Sequence, residues 1–164
     1  MNYIRDSIKL VVSEIDGIIT SGKSNIDELG NVLYKEYNTN DFEAVNELKK
    51  HCSFVFLSSD NSINYNLCRR KNIPFYWERK NKLSMLNKIM VRYEATANQT
   101  IYVGSRLSDV KCLQAIPMSV CTNNTNLYIR DKCLIVTKSN SGEGVLLEVL
   151  GLVLDGIKNV PSKV

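Results

Sequence analysis

The sequence lacks the features that mark several classes of protein. No apolar run approaches the roughly 20 residues that a membrane-spanning helix needs. Residues 1–9 alternate charged and apolar side chains, so we expect no signal peptide and no membrane association. Proline is scarce at 3 residues and glycine is limited to 8, while 44% of the residues are hydrophobic. This composition excludes collagen-like, low-complexity and disordered chains.

Patterns of cysteine and histidine that bind metals or form disulfides are also missing. Histidine occurs once, at position 51, and no Cys-x-x-Cys pair is present. The cysteines are odd in number and widely spaced: Cys52, Cys68, Cys112, Cys121 and Cys133. This pattern argues against structural zinc and against a disulfide framework. We therefore expect reduced thiols in a cytoplasmic protein.

Charge of one sign does not dominate the chain. Its 21 basic and 17 acidic residues leave a formal net charge of +4. Basic residues cluster only weakly, at residues 69–71 and 79–82, without the interleaved aromatic residues that are typical of nucleic-acid surfaces. We therefore expect no nucleic-acid partner.

What the chain does contain is an alternation of short apolar runs with segments of helical period. Its 164 residues suit a single domain. The alternation predicts a three-layer α/β fold with a mainly parallel sheet. Strands are predicted at residues 8–15, 54–57, 101–103, 118–121 and 134–136, and helices at 41–50, 62–71, 82–93, 107–115 and 144–157.

Residues 22–38 interrupt this alternation. Residues 27–31 (DELGN) form a turn signal between two short strand-like pieces. The pattern predicts a β-hairpin that projects from the sheet after the first strand.

Polar residues follow the predicted strands. In open parallel sheets, ligands bind beyond the carboxyl ends of the strands, near the point where the strand order reverses. The candidate site residues at these positions are Glu14, Asp16, Ser58, Ser59, Lys82, Ser105, Arg106 and Asp109.

The order of these motifs resembles one family, the cap-less branch of the haloacid dehalogenase superfamily. This branch includes 3-deoxy-D-manno-octulosonate 8-phosphate phosphatases and the phosphatase-like C-terminal domain of acylneuraminate cytidylyltransferases. The resemblance covers residues 8–154. The matching motifs are residues 15–20 (IDGIIT), 30–31 (GN), 37–41 (YNTND), 57–59 (LSS), 82–83 (KL), 102–104 (YVG) with Asp109, and 141–144 (SGEG).

The resemblance implies a Rossmann-like domain over residues 1–164, without a large cap. It also implies a homo-oligomer, with a tetramer favoured, in which the hairpin and the tail at residues 141–164 form contacts. The implied ligands are Mg²⁺ and a sugar acid phosphate or free phosphate. Magnesium requires near-octahedral oxygen ligation, and phosphoryl transfer depends on positioning and charge neutralisation.

The family assigns a role to each candidate position. Glu14 stands at the position of the aspartate nucleophile, and Asp16 stands at that of the general acid and base. Ser58, Ser59 and Lys82 correspond to phosphate-binding positions. The metal ligands would be Glu14, Asp16 and Asp109, with Ser105 at a further ligand position.

This sequence departs from the family pattern where the chemistry takes place. Glu14 is one methylene longer than the usual aspartate, and a misplacement of about 1 Å can cost roughly 10²-fold in rate. Ser105 replaces a carboxylate that is expected on the metal. Arg106 places a fixed positive charge beside it. Ser21 and Leu147 replace an aspartate and an arginine of the family. We therefore expect Mg²⁺ binding to be weak or lost.

Three functions remain open from the sequence. The first is a catalytically impaired phosphatase-like domain that acts in oligomerisation or ligand binding in sialic acid or keto-deoxy sugar metabolism. The second is an active Mg²⁺-dependent phosphatase of a 3-deoxy-2-keto sugar acid phosphate, with Glu14 as a slow nucleophile. The third is a phosphate or nucleotide sensor that uses Ser58, Lys82 and Arg106 without hydrolysis.

Individual residues also have alternative roles. Arg106 is expected to pair with Glu14 or Asp109, because carboxylates without a metal repel one another. Its alternative is an exposed side chain. Ser58 and Ser59 fit either phosphate contact or helix capping, and Asp109 fits either metal ligation or a favourable place in a first helical turn.

Overall fold

The computed structural model describes residues 8–155, apart from the side chain of Ser62. Its strands are β1 Leu10–Ser13, β2 Asn25–Ile26, β3 Val32–Tyr34, β4 Ser53–Ser58, β5 Phe75–Trp77, β6 Thr100–Val103, β7 Met118–Cys121 and β8 Ile135–Val136. Its helices are α1 Thr39–Leu48, α2 Ser62–Lys71, α3 Lys82–Arg92, α4 Val110–Ala115, α5 Leu127–Arg130 and α6 Val145–Asp155.

Six strands form a parallel sheet in the order β5-β4-β1-β6-β7-β8. The central strand β1 pairs with β4 on one side and β6 on the other, so that Leu10 lies between Ser53 and Thr100. All four residues of β1 are buried, as expected for a strand that is covered on both faces. The strand order reverses at β1, which places the ends of β1, β4 and β6 at the expected position for a site.

Two hydrophobic clusters cover the two faces of the sheet. On one face, α1, α2 and α6 pack against alternate strand residues such as Val11 and Phe56. On the other, α3, α4 and α5 pack against the intervening residues, such as Val12 and Tyr102. Burying a large apolar side chain contributes about 1.5–3 kcal/mol, so these two layers hold the sheet between them. The predicted three-layer fold is confirmed.

The hairpin forms a separate two-stranded sheet of β2 and β3. The Asp27 carboxylate closes its turn by accepting hydrogen bonds from the backbone N–H groups of Leu29 and Asn31, at 2.9 and 2.8 Å. No large cap domain occurs within residues 8–155. In the same part of the chain, none of the helices combines the length and the apolar character needed to cross a bilayer.

Several element boundaries differ from the predictions. Helix α1 begins at Thr39 with Asn38 as its N-cap, rather than at Asp41. The predicted helix at 107–115 starts as a 3-10 turn, Leu107–Asp109, before α4. The short elements β5 and α5 were not predicted because three or four residues carry too little periodicity. Residues 156–164 of the predicted tail lie outside the described residues.

Candidate functional site

The carboxyl edge of the sheet brings together five of the predicted site residues. Glu14 and Asp16 follow β1, Ser58 ends β4, Lys82 begins α3, and Asp109 lies in the segment after β6. Each is at most 5% exposed. A charged group buried to this extent must be paired or hydrogen-bonded.

Lys82 binds two of the carboxylates. Its ammonium group forms a buried ion pair with Glu14 Oε2 and lies 2.6 Å from Asp109 Oδ1. Asp109 Oδ1 also accepts a hydrogen bond from the Tyr102 hydroxyl at 2.7 Å. The backbone N–H groups of Ser105 and Arg106 donate to Asp109 Oδ2, each at 3.0 Å. Both oxygens of Asp109 therefore have two donors each.

Burial and charge change the titration of this cluster. Burial raises the pKa of Glu14, with the charge of Lys82 opposing this shift and that of Asp109 adding to it. Burial alone would lower the pKa of Lys82, but the charges of Asp109 and Glu14 outweigh it and raise the pKa. Lys82 therefore remains an ammonium, and Glu14 takes up a proton more readily than an ordinary glutamate.

Asp16 lies in a second network around another buried lysine. Lys35 Nζ lies 3.0 Å from each Asp16 oxygen and 2.7 Å from Asp60 Oδ2. The Asn64 amide donates to Asp16 Oδ2 at 2.9 Å, and the Tyr37 hydroxyl donates to Asn64 Oδ1 at 3.0 Å. Asp16 is thus held by an ammonium and an amide.

Sequence reasoning missed Lys35, Asn64 and Tyr102. Asn64 is four residues before the buried Cys68 on α2, a spacing that places both on one helix face and signals a buried polar group. Tyr102 lies within an apolar run that hides its hydroxyl. Lys35 follows the hairpin strand β3 in a polar segment, and nothing in that pattern marks it as buried.

The segment after β6 lies very close to the residues that follow β1. The Ser105 hydroxyl donates to the Gly17 carbonyl at 3.0 Å, and a Cβ added to Gly17 would lie 2.6 Å from the Ser105 Oγ. A Cβ added to Gly104 would lie 2.7 Å from Asp109 Cβ. Glycine is therefore required at both positions for this approach.

We expected Arg106 to pair with Glu14 or Asp109, and the structure shows no such pair among the described residues. Its backbone N–H contacts Asp109, but its guanidinium forms no ion pair with a described residue. Lys82, rather than Arg106, contacts both Glu14 and Asp109. Arg106 instead lines an open cleft of about 410 Å³ with Ser59, Arg79, Leu107 and Ser108.

Ser58 accepts hydrogen bonds from the Asp60 backbone and the Asn64 side chain, at 3.2 and 3.4 Å.

The arranged donor set does not fit Mg²⁺, which requires several oxygens in near-octahedral geometry. The carboxylates of Glu14, Asp16 and Asp109 are held by Lys82, Lys35 and N–H or O–H donors, and Ser105 supplies a neutral hydroxyl. Within residues 8–155, no group of three or more Asp, Glu, His or Cys residues is placed to hold a metal ion.

The chain is similar to a family of hydrolases. A family model for haloacid dehalogenase-like hydrolases matches residues 2–149. Over 155 residues the chain is 23% identical to the 3-deoxy-D-manno-octulosonate 8-phosphate phosphatase KdsC of Haemophilus influenzae, a match that covers 91% of this chain and 84% of that protein.

Solved structures share the fold. The cobalt-bound deoxy-D-mannose-octulosonate 8-phosphate phosphatase of Haemophilus influenzae matches with a TM-score of 0.85 and 22% identity, covering 92% of this chain and 89% of that one. The 3-deoxy-D-manno-octulosonate 8-phosphate phosphatase of Moraxella catarrhalis, in complex with magnesium, phosphate and KDO, matches with a TM-score of 0.84 and 20% identity, covering 94% and 90%.

Proposed function

Because the chain belongs to the haloacid dehalogenase-like hydrolase family, we propose that it is a catalytically impaired phosphatase-like domain of the keto-sugar-acid phosphate branch. Its role is oligomerisation or ligand binding in sialic acid or keto-deoxy sugar metabolism. The observation that carries this proposal is that two buried lysines, Lys82 and Lys35, hold the carboxylates at the positions of the nucleophile and the general acid.

The ion pairs oppose both steps of a covalent phosphoryl transfer. A carboxylate nucleophile needs a free, deprotonated oxygen, but Glu14 Oε2 is paired with Lys82 and burial raises the pKa of Glu14. A general acid must gain and lose a proton, but both Asp16 oxygens lie 3.0 Å from the Lys35 ammonium. Either step requires breaking a buried ion pair, which is costly.

The alternative is an active Mg²⁺-dependent phosphatase of a 3-deoxy-2-keto sugar acid phosphate. One observation favours it, because Glu14, Asp16, Ser58, Lys82 and Asp109 all lie at the same sheet edge. In this alternative a ligand displaces Lys82 from Glu14, and the lysine then contacts a phosphate oxygen.

Release of phosphate from 3-deoxy-D-manno-octulosonate 8-phosphate, with and without Mg²⁺, separates the two. We expect the parent to remain at background, and the double variant Glu14→Asp/Ser105→Asp to gain about 10²-fold or more, because it restores both the acid length and the carboxylate. Metal-dependent turnover by the parent that is lost in Glu14→Gln would refute the impairment and establish the alternative.

The hairpin supports the proposed oligomer. Ile26, Leu29, Leu33 and Tyr34 are each more than half exposed. Exposed apolar side chains in one segment are common at interaction surfaces. We expect sedimentation velocity at micromolar concentration to show an oligomer, with a tetramer favoured, and the variant Leu29→Asp/Leu33→Asp to dissociate it. A parent that sediments as a monomer would contradict this role.

The cysteines are consistent with the proposed cytoplasmic location. None of the five forms a disulfide within the described residues. Burial raises the pKa of Cys68 and Cys112 to about 12, which keeps them protonated and unreactive.

A further inference from the structure

The amino edge of the sheet, opposite the candidate site, carries a concentration of positive charge. Helix α1 ends directly before Lys49 and Lys50, and α2 ends with residues 69–71 (RRK). Both helices end within a few residues of the starts of β4 and β5, and Lys9 directly precedes β1. We call Lys9, residues 47–51 and residues 69–71 the basic edge. It contains six lysines and arginines and one acid, so its net charge of +5 exceeds the +4 of the whole chain.

Two contacts join the ends of α1 and α2 into one surface. The Lys49 ammonium donates a hydrogen bond at 2.9 Å to the carbonyl of Asn72, the C-cap of α2. The Lys71 ammonium lies 4.8 Å from the centre of the Phe42 ring on α1. Basic residues that are about 20 positions apart in sequence are therefore neighbours in the fold, which the sequence pattern alone does not show.

Acids of the protein do not neutralise this charge. Glu47 pairs with Lys50 and His51, at 2.6 and 3.3 Å. Within residues 8–155, the remaining cations of the basic edge form no ion pair, and all are exposed: Lys9, Lys49, Arg69, Arg70 and Lys71. The helix dipoles favour cations at these ends. Like charges repel, however, so a negatively charged partner would lower the free energy of this surface.

We propose that the basic edge binds an acidic polypeptide segment, a run of Asp and Glu residues of a partner protein. Carboxylates match the arginine and lysine donors of this surface. Of the described residues in the ranges 44–53 and 66–74, none is an exposed large hydrophobic residue, and the Lys71 ammonium lies over the Phe42 ring. The surface thus offers neither an aromatic platform for stacked bases nor an apolar anchor for a bilayer.

The test is a fluorescence anisotropy titration of a labelled oligoglutamate peptide with the full chain at pH 7 and low ionic strength. We expect saturable binding that weakens as NaCl is added, because salt screens exposed charges. The variant Arg69→Gln/Arg70→Gln should bind at least about fivefold more weakly, because it removes two cations from the surface. It leaves the contacts of Lys49 and Lys71 in place, so its circular dichroism spectrum should match that of the parent.

A matched control removes the same charge elsewhere. Arg79 follows β5 towards the carboxyl edge, and Arg92 ends α3 on the other face of the sheet. Both are exposed, so Arg79→Gln/Arg92→Gln has the same net charge as the basic-edge variant and should bind the peptide as the parent does. Arg69→Lys/Arg70→Lys keeps the charge and should retain most of the affinity, because solvated pairs depend mainly on charge.

Three results would overturn the proposal. The first is no saturable binding of the peptide, and the second is equal affinity in the parent and the basic-edge variant. The third is equal weakening in the control variant, which would mean that net charge, and not this surface, attracts the peptide. Tighter binding of oligouridylate or of phosphatidylserine vesicles than of the peptide, lost in Arg69→Gln/Arg70→Gln, would assign the surface to a nucleic acid or a membrane and refute the proposed partner.

Discussion

Replacing Lys35 by methionine tests whether the buried ion pair with Asp16 is a structural element of this centre. The side chains of Lys35 and Asp16 are 1% and 7% exposed, and the Nζ lies 3.0 Å from both carboxylate oxygens. Removing the cation leaves the Asp16 charge buried, with Asn64 as its remaining strong donor. Breaking a buried pair from one side costs about 3–5 kcal/mol.

This loss is large compared with the about 5–15 kcal/mol by which ordinary domains are stable. Urea unfolding, monitored by circular dichroism, measures this loss in the free energy of unfolding. With a slope near 2 kcal/mol per molar, the midpoint of Lys35→Met should fall by about 2 M.

A surface pair provides the matched control. Lys50 and Glu47 are closer, at 2.6 Å, but their side chains are 67% and 40% exposed. Lys50→Met should leave the urea midpoint unresolved from that of the parent, since exposed pairs are solvated and screened. If the urea midpoint of Lys35→Met is as high as that of Lys50→Met, then burial does not determine how much an ion pair contributes to the free energy of unfolding, and the argument is refuted.

Two further predictions concern packing and pH. Burial raises the pKa of Asp41 to about 6, while its Oδ1 accepts from the Leu146 N–H at 2.8 Å and its Oδ2 has no partner. Because the pKa of Asp41 is higher in the folded than in the unfolded state, the protonated carboxyl favours the fold at low pH, and this contribution is lost as the pH rises through 6. Asp41→Asn removes the buried charge, so it should raise the urea midpoint at pH 7 and raise it less at pH 4.5. Gly104→Ala should strongly destabilise the fold, because its Cβ would lie 2.7 Å from that of Asp109, whereas Gly151→Ala on α6 meets nothing within 4 Å and should stabilise the helix by about 0.5–1 kcal/mol in thermal unfolding. Equal stability of the two glycine variants would contradict this geometry.

The fold was predictable because its layers follow from short-range patterns. Apolar runs such as residues 54–57 and 118–121 correspond to β4 and β7, and helical periods correspond to α2 and α3. The position of Glu14 at the sheet edge follows from parallel strand direction, whereas that of Lys82 was implied only by the family resemblance, because the strand before it was not predicted. Boundaries such as the start of α1 were less accurate, because Asn38 and Asp41 are both good capping residues and only packing against α6 selects between them.

The partners within the site were not predictable from those patterns. Whether Lys82 or Arg106 neutralises Glu14 depends on side-chain reach in three dimensions, and the structure selects Lys82. Lys35 reaches Asp16 across 19 positions of sequence, from the hairpin to the sheet edge. Such a contact leaves no periodic signal, because it depends on how the hairpin folds back over the edge.

The charge of the centre predicts what restoring the family carboxylates would do. The ion pairs of the centre join four carboxylates, those of Glu14, Asp16, Asp60 and Asp109, to two ammonium groups, those of Lys35 and Lys82. Burial raises the pKa of Glu14, and the neighbouring charge of Asp109 adds to the shift.

Ser105→Asp combined with Glu14→Asp adds a further carboxylate and shortens the acid that Lys82 holds. Repulsion should then destabilise the metal-free variant, and a divalent cation should reverse the loss. We expect Mg²⁺ to raise the melting temperature of the double variant and to leave the parent unchanged, with Ca²⁺ as a comparison cation at equal ionic strength. If Mg²⁺ stabilises the parent as much as the variant, then Lys82 yields its carboxylates to a metal, and the ion pairs do not explain impaired catalysis.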